Sequence, residues 1–128
     1  MASERFTQLI TELHEATVNG KIRWLEAATE GTFRVGLGEG LVRIEPQYNH
    51  EADQPGYAIY LLNKHARIVD EFETWEGGEN YPLLRELYQS ARGSARNINE
   101  VIDLMLSDLK AGRTRDIPSE DARDDFRF

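Results

Sequence analysis

The 128-residue chain contains no cysteine and only four prolines. The missing thiols exclude disulfides, cysteine nucleophiles and thiolate metal sites together. Long hydrophobic runs are also missing, and none approaches the ~20 residues that span a bilayer as a helix. The opening MASERFTQL lacks a basic region followed by an apolar stretch, so no secretory signal is expected. Together these absences make the cytoplasm the expected compartment. Positive charge is scarce: 15 Lys and Arg stand against 23 Asp and Glu, for a net charge of −8. A field of that sign repels phosphate backbones and anionic membranes, so neither nucleic acid nor membrane is an expected partner.

Hydrophobic residues make up 40% of the chain, enough for a globular core. Residues 1–112 are expected to form a single α+β domain, and residues 113–128 a charged tail. Ser3 can cap a first helix, whose apolar face carries Phe6, Leu9, Ile10 and Leu13 and which ends at Asn19-Gly20. Residues 21–27 alternate, with Ile22 and Trp24 on one side. Phe33, Val35 and Leu37 mark a second strand face, and Val42 and Ile44 a third, with a turn at 38–40 between them. The polar stretch 46–55, PQYNHEADQP, is expected to be the longest loop. Residues 57–62 and 66–75 form a hairpin, with Ile68, Asp70, Phe72 and Thr74 on one face.

After Gly77-Gly78 comes the most regular pattern in the chain. Leu84, Tyr88, Ala91, Ala95, Ile98, Ile102, Met105 and Leu109 recur at alternating steps of four and three. Pro82 suits the first turn of that helix and Gly112 its end. About 30 residues at ~1.5 Å rise give a rod of roughly 45 Å. Five strands ~4.8 Å apart give a sheet only about 20 Å wide, so the apolar stripe outruns its own sheet. A second stripe, Leu83, Leu87, Val101 and Leu104, runs beside it. The expected fold is α+β: an N-terminal helix, about five antiparallel strands in a meander, and a long C-terminal helix on one sheet face. Leu9, Leu13, Trp24, Phe33, Val35, Ile44, Ile59, Leu61, Ile68, Leu84 and Ile98 are the expected core.

The runs TELHEATVNGKIRW, GYAIYLLN, IVDEF, YPLLRELYQSAR and INEVIDLMLSDL span most of the chain from Phe6 to Leu109. They resemble a family of small bacterial α/β proteins with a Thr-x-x-Gly-Lys-Ile-x-Trp-like start and a Leu-Tyr-x-x-Ala-Arg helix. That family has no assigned activity, so the resemblance implies a fold and no functional residue.

Motifs for chemistry are incomplete. Gly36-Leu37-Gly38-Glu39-Gly40 lies between two strands, where a phosphate loop needs a strand and then a helix; it reads as a hairpin turn. His50, Glu51 and Asp53 offer ligands for a metal, but His14 and His65 are not brought near by spacing, and zinc needs three or four converging donors. Ser90 and Ser94 lie on the long helix without a nucleophile elbow. Ser94, with Ala91, Gly93 and Ala95, reads as part of a set of small residues that admit a neighbouring backbone, a hinge being the alternative. Glu71 and Glu73 point one way from their strand and Asp70 the other, which is the pattern of a solvated face. No catalytic residue, cofactor or metal is expected, and the chain is not expected to be an enzyme.

The candidates for recognition lie on the long helix. Arg85, Arg92 and Arg96 are spaced by seven and four, forming a basic stripe beside the apolar seam. They can serve an acidic partner or pair within the chain. Met105 and Leu109 carry the seam past the sheet. The tail ends Asp124-Asp125-Phe126-Arg127-Phe128, similar to the acidic, aromatic tips that some bacterial proteins dock into partner pockets; a plain acidic tail is the alternative. The expected function is a small protein-interaction or adaptor module, homodimeric through the long helix. The alternative is a small-ligand or enzymatic protein using the open sheet face and the His50 loop near Tyr60.

Overall fold

A computed structural model describes residues 4–114. Ser3 and the acidic tail tip lie outside the described residues. The elements are α1 (Glu4–Val18), β1 (Leu25–Glu26), β2 (Phe33–Leu37), β3 (Gly40–Asn49), β4 (Gln54–Leu62), β5 (Ile68–Trp75), α2 (Tyr81–Arg96) and α3 (Ile98–Ala111). The five strands form one antiparallel sheet in sequence order, so the expected α+β meander is the fold observed. By compactness the chain divides into two units, one ending at Ile98 and the next beginning at Asn99.

Alternation decides which face is covered. Phe33, Val35, Val42, Ile44 and Ile59 are buried at every second position and meet Ile10, Leu13, Leu84, Leu87 and Ala91 from α1 and α2. Leu9 and Leu61 pack partly buried at its margin. The two helices lie side by side, and α2 runs over the sheet against β1, β2, β4 and β5. Trp24, fully buried, ties these layers together. Its indole N–H donates to Thr17 Oγ1 at 2.8 Å, and its backbone N–H donates to Ser94 Oγ at 3.0 Å. The Thr17 hydroxyl donates onward to Leu13 O at 2.6 Å. Neither N–H of this tryptophan is left without a partner in the core.

The structure corrects the sequence reading in four places. The long helix is two helices. Asn97 stops α2 in the left-handed conformation, with φ 51° and ψ 42°, its N–H bonding to Gly93 O and Ser94 O. Asparagine tolerates that conformation better than most residues, and the apolar stripe had masked the stop. Secondly, residues 46–55 are not a loop. Pro46 pairs with Tyr57 and Tyr48 with Pro55, so the β3–β4 ladder runs on to Asn49 and Gln54. A proline removes one donor without breaking the strand. Thirdly, Ile68 is 49% exposed rather than core. Leu61 pairs with Asp70 but Leu62 pairs with Ile68, a register shift that turns Ile68 to the other face. Finally, Ile98 is 40% exposed, because it starts the second helix instead of continuing the first.

Two glycines in the compact unit behave oppositely. A Cβ at Gly56 would stand 2.7 Å from Trp75 Cε3 and closer still to the Thr74 carbonyl oxygen, where β4 and β5 meet. A Cβ at Gly93, inside α2, would meet nothing within 4 Å. The small residue there is not explained by a neighbouring backbone within the described chain. Gly56→Ala should therefore destabilise the protein by roughly 2 kcal/mol or more, whereas Gly93→Ala should stabilise it by about 1 kcal/mol. Urea denaturation of both variants checks the pair of signs, and equal and opposite ordering would refute the packing described.

Candidate functional site

One flank of α2 carries three arginines and two tyrosines. At 100° per residue, positions 81, 85, 88, 92 and 96 fall within about 80° of each other round the helix. They are Tyr81, Arg85, Tyr88, Arg92 and Arg96. Pro82 in the first turn fixes where this stripe begins. Tyr57 rises from β4 between the two helix tyrosines, its ring centroid 5.5 Å from Tyr81 and 5.0 Å from Tyr88. Tyr88 in turn lies 5.4 Å from Phe33 and donates its hydroxyl to Gly31 O at 2.7 Å. The result is a half-buried aromatic floor, held in place by a hydrogen bond at one end. Burial raises the Tyr57 and Tyr88 hydroxyl pKa values, and for Tyr57 the neighbouring Tyr81 and Tyr88 add to it.

The three arginines have different fates. Arg96 is held within the chain, Nε to Glu26 Oε1 at 3.1 Å and Nη2 to Glu26 Oε2 at 2.8 Å. Its guanidinium also lies 5.4 Å above the Phe33 ring. Glu26 Oε2 accepts a further bond from the Gly31 N–H at 2.9 Å. The fork-to-fork pair and that amide pull the Glu26 pKa from its ordinary 4.5 to about 2, with the Arg96 hydrogen bonds the largest cause. Arg85 and Arg92 are exposed and join no ion pair among the described residues. Arg85 only leans over Tyr81, 5.8 Å from its centroid.

Between α1 and α2 a polar bridge forms that spacing alone did not suggest. His14 Nδ1 lies 3.1 Å from Ser90 Oγ, and His14 Nε2 lies 4.0 Å from Glu86 Oε1. The set contains a hydroxyl, an imidazole and a carboxylate. The Ser90 hydroxyl also lies 3.0 Å from Leu87 O, a second acceptor within the helix that competes with Nδ1 for its proton. As arranged, the three groups join two helices.

The open sheet face carries Arg43 over the Tyr60 ring at 4.6 Å and Glu45 at 3.7 Å from Arg43 Nε. Burial, then Glu45 and Glu71, raise the Tyr60 pKa. A shallow depression of about 510 Å³ beside them is lined by Glu30, Thr32, Arg43, Glu45 and Pro46 among others. His50 does not join Tyr60. Tyr60 pairs with Arg43 on the open face, while His50 packs edge-on to Tyr48 at 4.9 Å. Tyr48 lies an even number of residues from Ile44, on the opposite face of the hairpin. Glu51 and Ala52 donate their backbone N–H groups to Asn49 Oδ1, so the residues beside His50 build a tight turn. Among the described residues no three His, Asp or Glu side chains are placed to hold one metal ion. No described helix is long and apolar enough to cross a membrane.

Met105 and Leu109 lie on α3, which has no buried residue. Ile98, Val101, Ile102, Leu104, Met105, Leu106 and Leu109 are 40–72% exposed. Ile98, Ile102, Met105 and Leu109 recur at steps of four, three and four, so they form a continuous seam. Charged Glu100, Asp103 and Lys110 occupy other sides of the helix.

The sequence pattern revealed the arginine stripe and the α3 seam. It missed the tyrosine floor, although Tyr81 and Tyr88 share the spacing of the arginines, because Tyr57 arrives from a strand. It also missed the Glu26 fork, which joins residues 70 positions apart. The chain matches no protein-family profile, no curated protein and no solved structure.

The Glu26 fork generates a pH prediction. A folded-state pKa below the unfolded value means that the native protein binds this proton less readily than the unfolded chain. Its contribution is complete above about pH 4.5 and fades as pH falls from there toward about 2. Thermal melts across that window should show a steeper acid loss in the parent than in Glu26→Gln. Identical slopes would mean that the fork does not exist in solution.

Proposed function

We propose that this chain is a non-enzymatic protein-interaction or adaptor module of the cytoplasm that works as a homodimer formed through α3. One observation carries the reading: a 14-residue amphipathic helix with a continuous apolar seam and no buried residue. An isolated helix of that length is marginal in water, since helices shorter than ~12–15 residues rarely hold without packing. Exposed apolar stripes of this kind are the faces by which chains associate. A two-fold contact needs only one self-complementary patch, which the seam Ile98, Ile102, Met105 and Leu109 supplies.

Light scattering over micromolar to millimolar concentrations tests the dimer. The expected mass is two chains. Met105→Glu and Leu109→Glu should each restore a single chain while leaving the far-ultraviolet dichroism of the sheet and α1–α2 intact, because a charge placed in a dry contact is costly and one placed on an exposed helix is not. A single-chain mass throughout the parent's range would sink the reading. Unfolding by either substitution would place the seam in the protomer's own core and would sink it equally.

A further inference from the structure

We propose that the Tyr81–Arg85–Tyr88–Arg92 flank of α2, with Tyr57 beside it, is a binding face for an extended acidic peptide. The proposal rests on the reading of the chain as an interaction module but not on its self-association, since no residue of this face belongs to α3.

Charge makes the first argument. The chain has 23 acidic and 15 basic residues, so a cluster of exposed cations is a local departure from its net charge. Arg85 and Arg92 stand exposed and outside any ion pair among the described residues, as Arg5, Arg23, Arg34 and Arg67 do, but these two share one helix flank with half-buried tyrosines. The nearby carboxylate that acts on Arg92, Glu26, is already engaged by other donors. Both of its oxygens accept from Arg96, and one also accepts from Gly31. The fork therefore holds one arginine inside the fold and leaves the neighbouring one free for an external anion.

Shape makes the second. Tyr88 lies between the two arginines along the helix, Tyr57 and Tyr81 extend its ring surface toward Arg85, and the hydrogen bond from Tyr88 to Gly31 removes much of its freedom. Rigid tyrosine and arginine side by side are the residue types that dominate interaction hot spots, since little entropy is left to lose on binding. Arg85 is already laid against Tyr81. A ligand for this surface needs anions at its ends and an apolar group between them.

Spacing narrows the class. Positions 85 and 92 are seven residues apart on a helix, or about 10.5 Å along its axis. Two acidic residues three apart in an extended peptide are separated by about 10 Å. An acid-x-x-acid segment thus matches the pair, with a proline or aromatic residue between the acids resting on the tyrosines. A nucleic acid or anionic membrane offers the same ionic chemistry, but a net charge of −8 opposes any long polyanion, whereas a short segment feels mainly the local cations.

Fluorescence anisotropy with the labelled peptide acetyl-Ser-Glu-Pro-Phe-Glu-Ser tests the face on the full chain. Saturable binding is expected with a dissociation constant of roughly 10–100 μM that weakens as salt is raised. Arg85→Ala and Arg92→Ala, both at exposed positions and so not expected to disturb folding, should each weaken it about tenfold. Leu109→Glu should leave it unchanged, which separates failure of the peptide face from failure of the dimer. Equal binding of the neutral Gln-Pro-Phe-Gln analogue would overturn the proposal, as would arginine variants that bind like the parent. No saturation by ~1 mM peptide, or tighter binding of a single-stranded oligothymidylate of similar length, would also overturn it.

Discussion

The buried indole of Trp24 is the contact on which the compact unit depends. Its ring fills the space where α1, α2 and the start of the sheet converge, and its two N–H groups reach a hydroxyl on each helix. Burying so large a ring adds more apolar contact than any aliphatic side chain would. Burying its N–H groups without partners would cancel much of that gain. Thr17 and Ser94 supply the partners, and so their identity matters as much as their size. The geometry also orients the chain. A tryptophan bonded to both helices can sit in only one arrangement of them, and the arrangement decides which flank of α2 faces the β3–β4 hairpin.

From that placement follows the distribution of charge. The interior flank of α2 is spent on Leu84, Leu87 and Ala91, and Ser90 reaches toward His14 on α1. Within the compact unit, α1 lies against the other side of α2 and does not cover the flank that looks over the far half of the hairpin. Tyr57 therefore ends half-buried although it lies on the covered face of the sheet. The β1–β2 connection, through Glu26 and Gly31, closes only one end of this flank. Arg85 and Arg92 thus stand exposed on this flank beside the half-buried tyrosines.

How much of this was legible in the sequence depended on the range of the interaction. The strands of Phe33, Val35, Val42 and Ile44 were visible because alternation is local, and the helices because their apolar residues recur within a turn or two. Ile68 was misplaced because a single register shift against β4 reverses a face, and nothing in residues 66–75 announces it. The helix break at Asn97 carried a local signal, yet a pattern of apolar steps that continues in phase on both sides concealed it. The recognition surface was half legible. The arginines share one helical spacing, while Tyr57, Glu26 and Gly31 enter from elements 30 to 70 residues away, as the Tyr88–Gly31 and Arg96–Glu26 bonds show with separations of 57 and 70. Such meetings depend on topology, which periodicity alone does not encode.

The outer strand of the sheet has a bearing on how this chain avoids unwanted assembly. β5 is an edge with β4 on one side only, and it exposes Ile68 and Val69. An edge of that length is an open template for another strand. Asp70, Glu71 and Glu73 stand along it, and Asp70 Oδ1 accepts the Glu71 backbone N–H at 2.9 Å. One rung of the template is thereby occupied by the strand's own side chain. Two copies approaching edge to edge would also bring three carboxylates from each into one ladder. Fibrous growth through the sheet is opposed by that repulsion and by the self-occupied rung together.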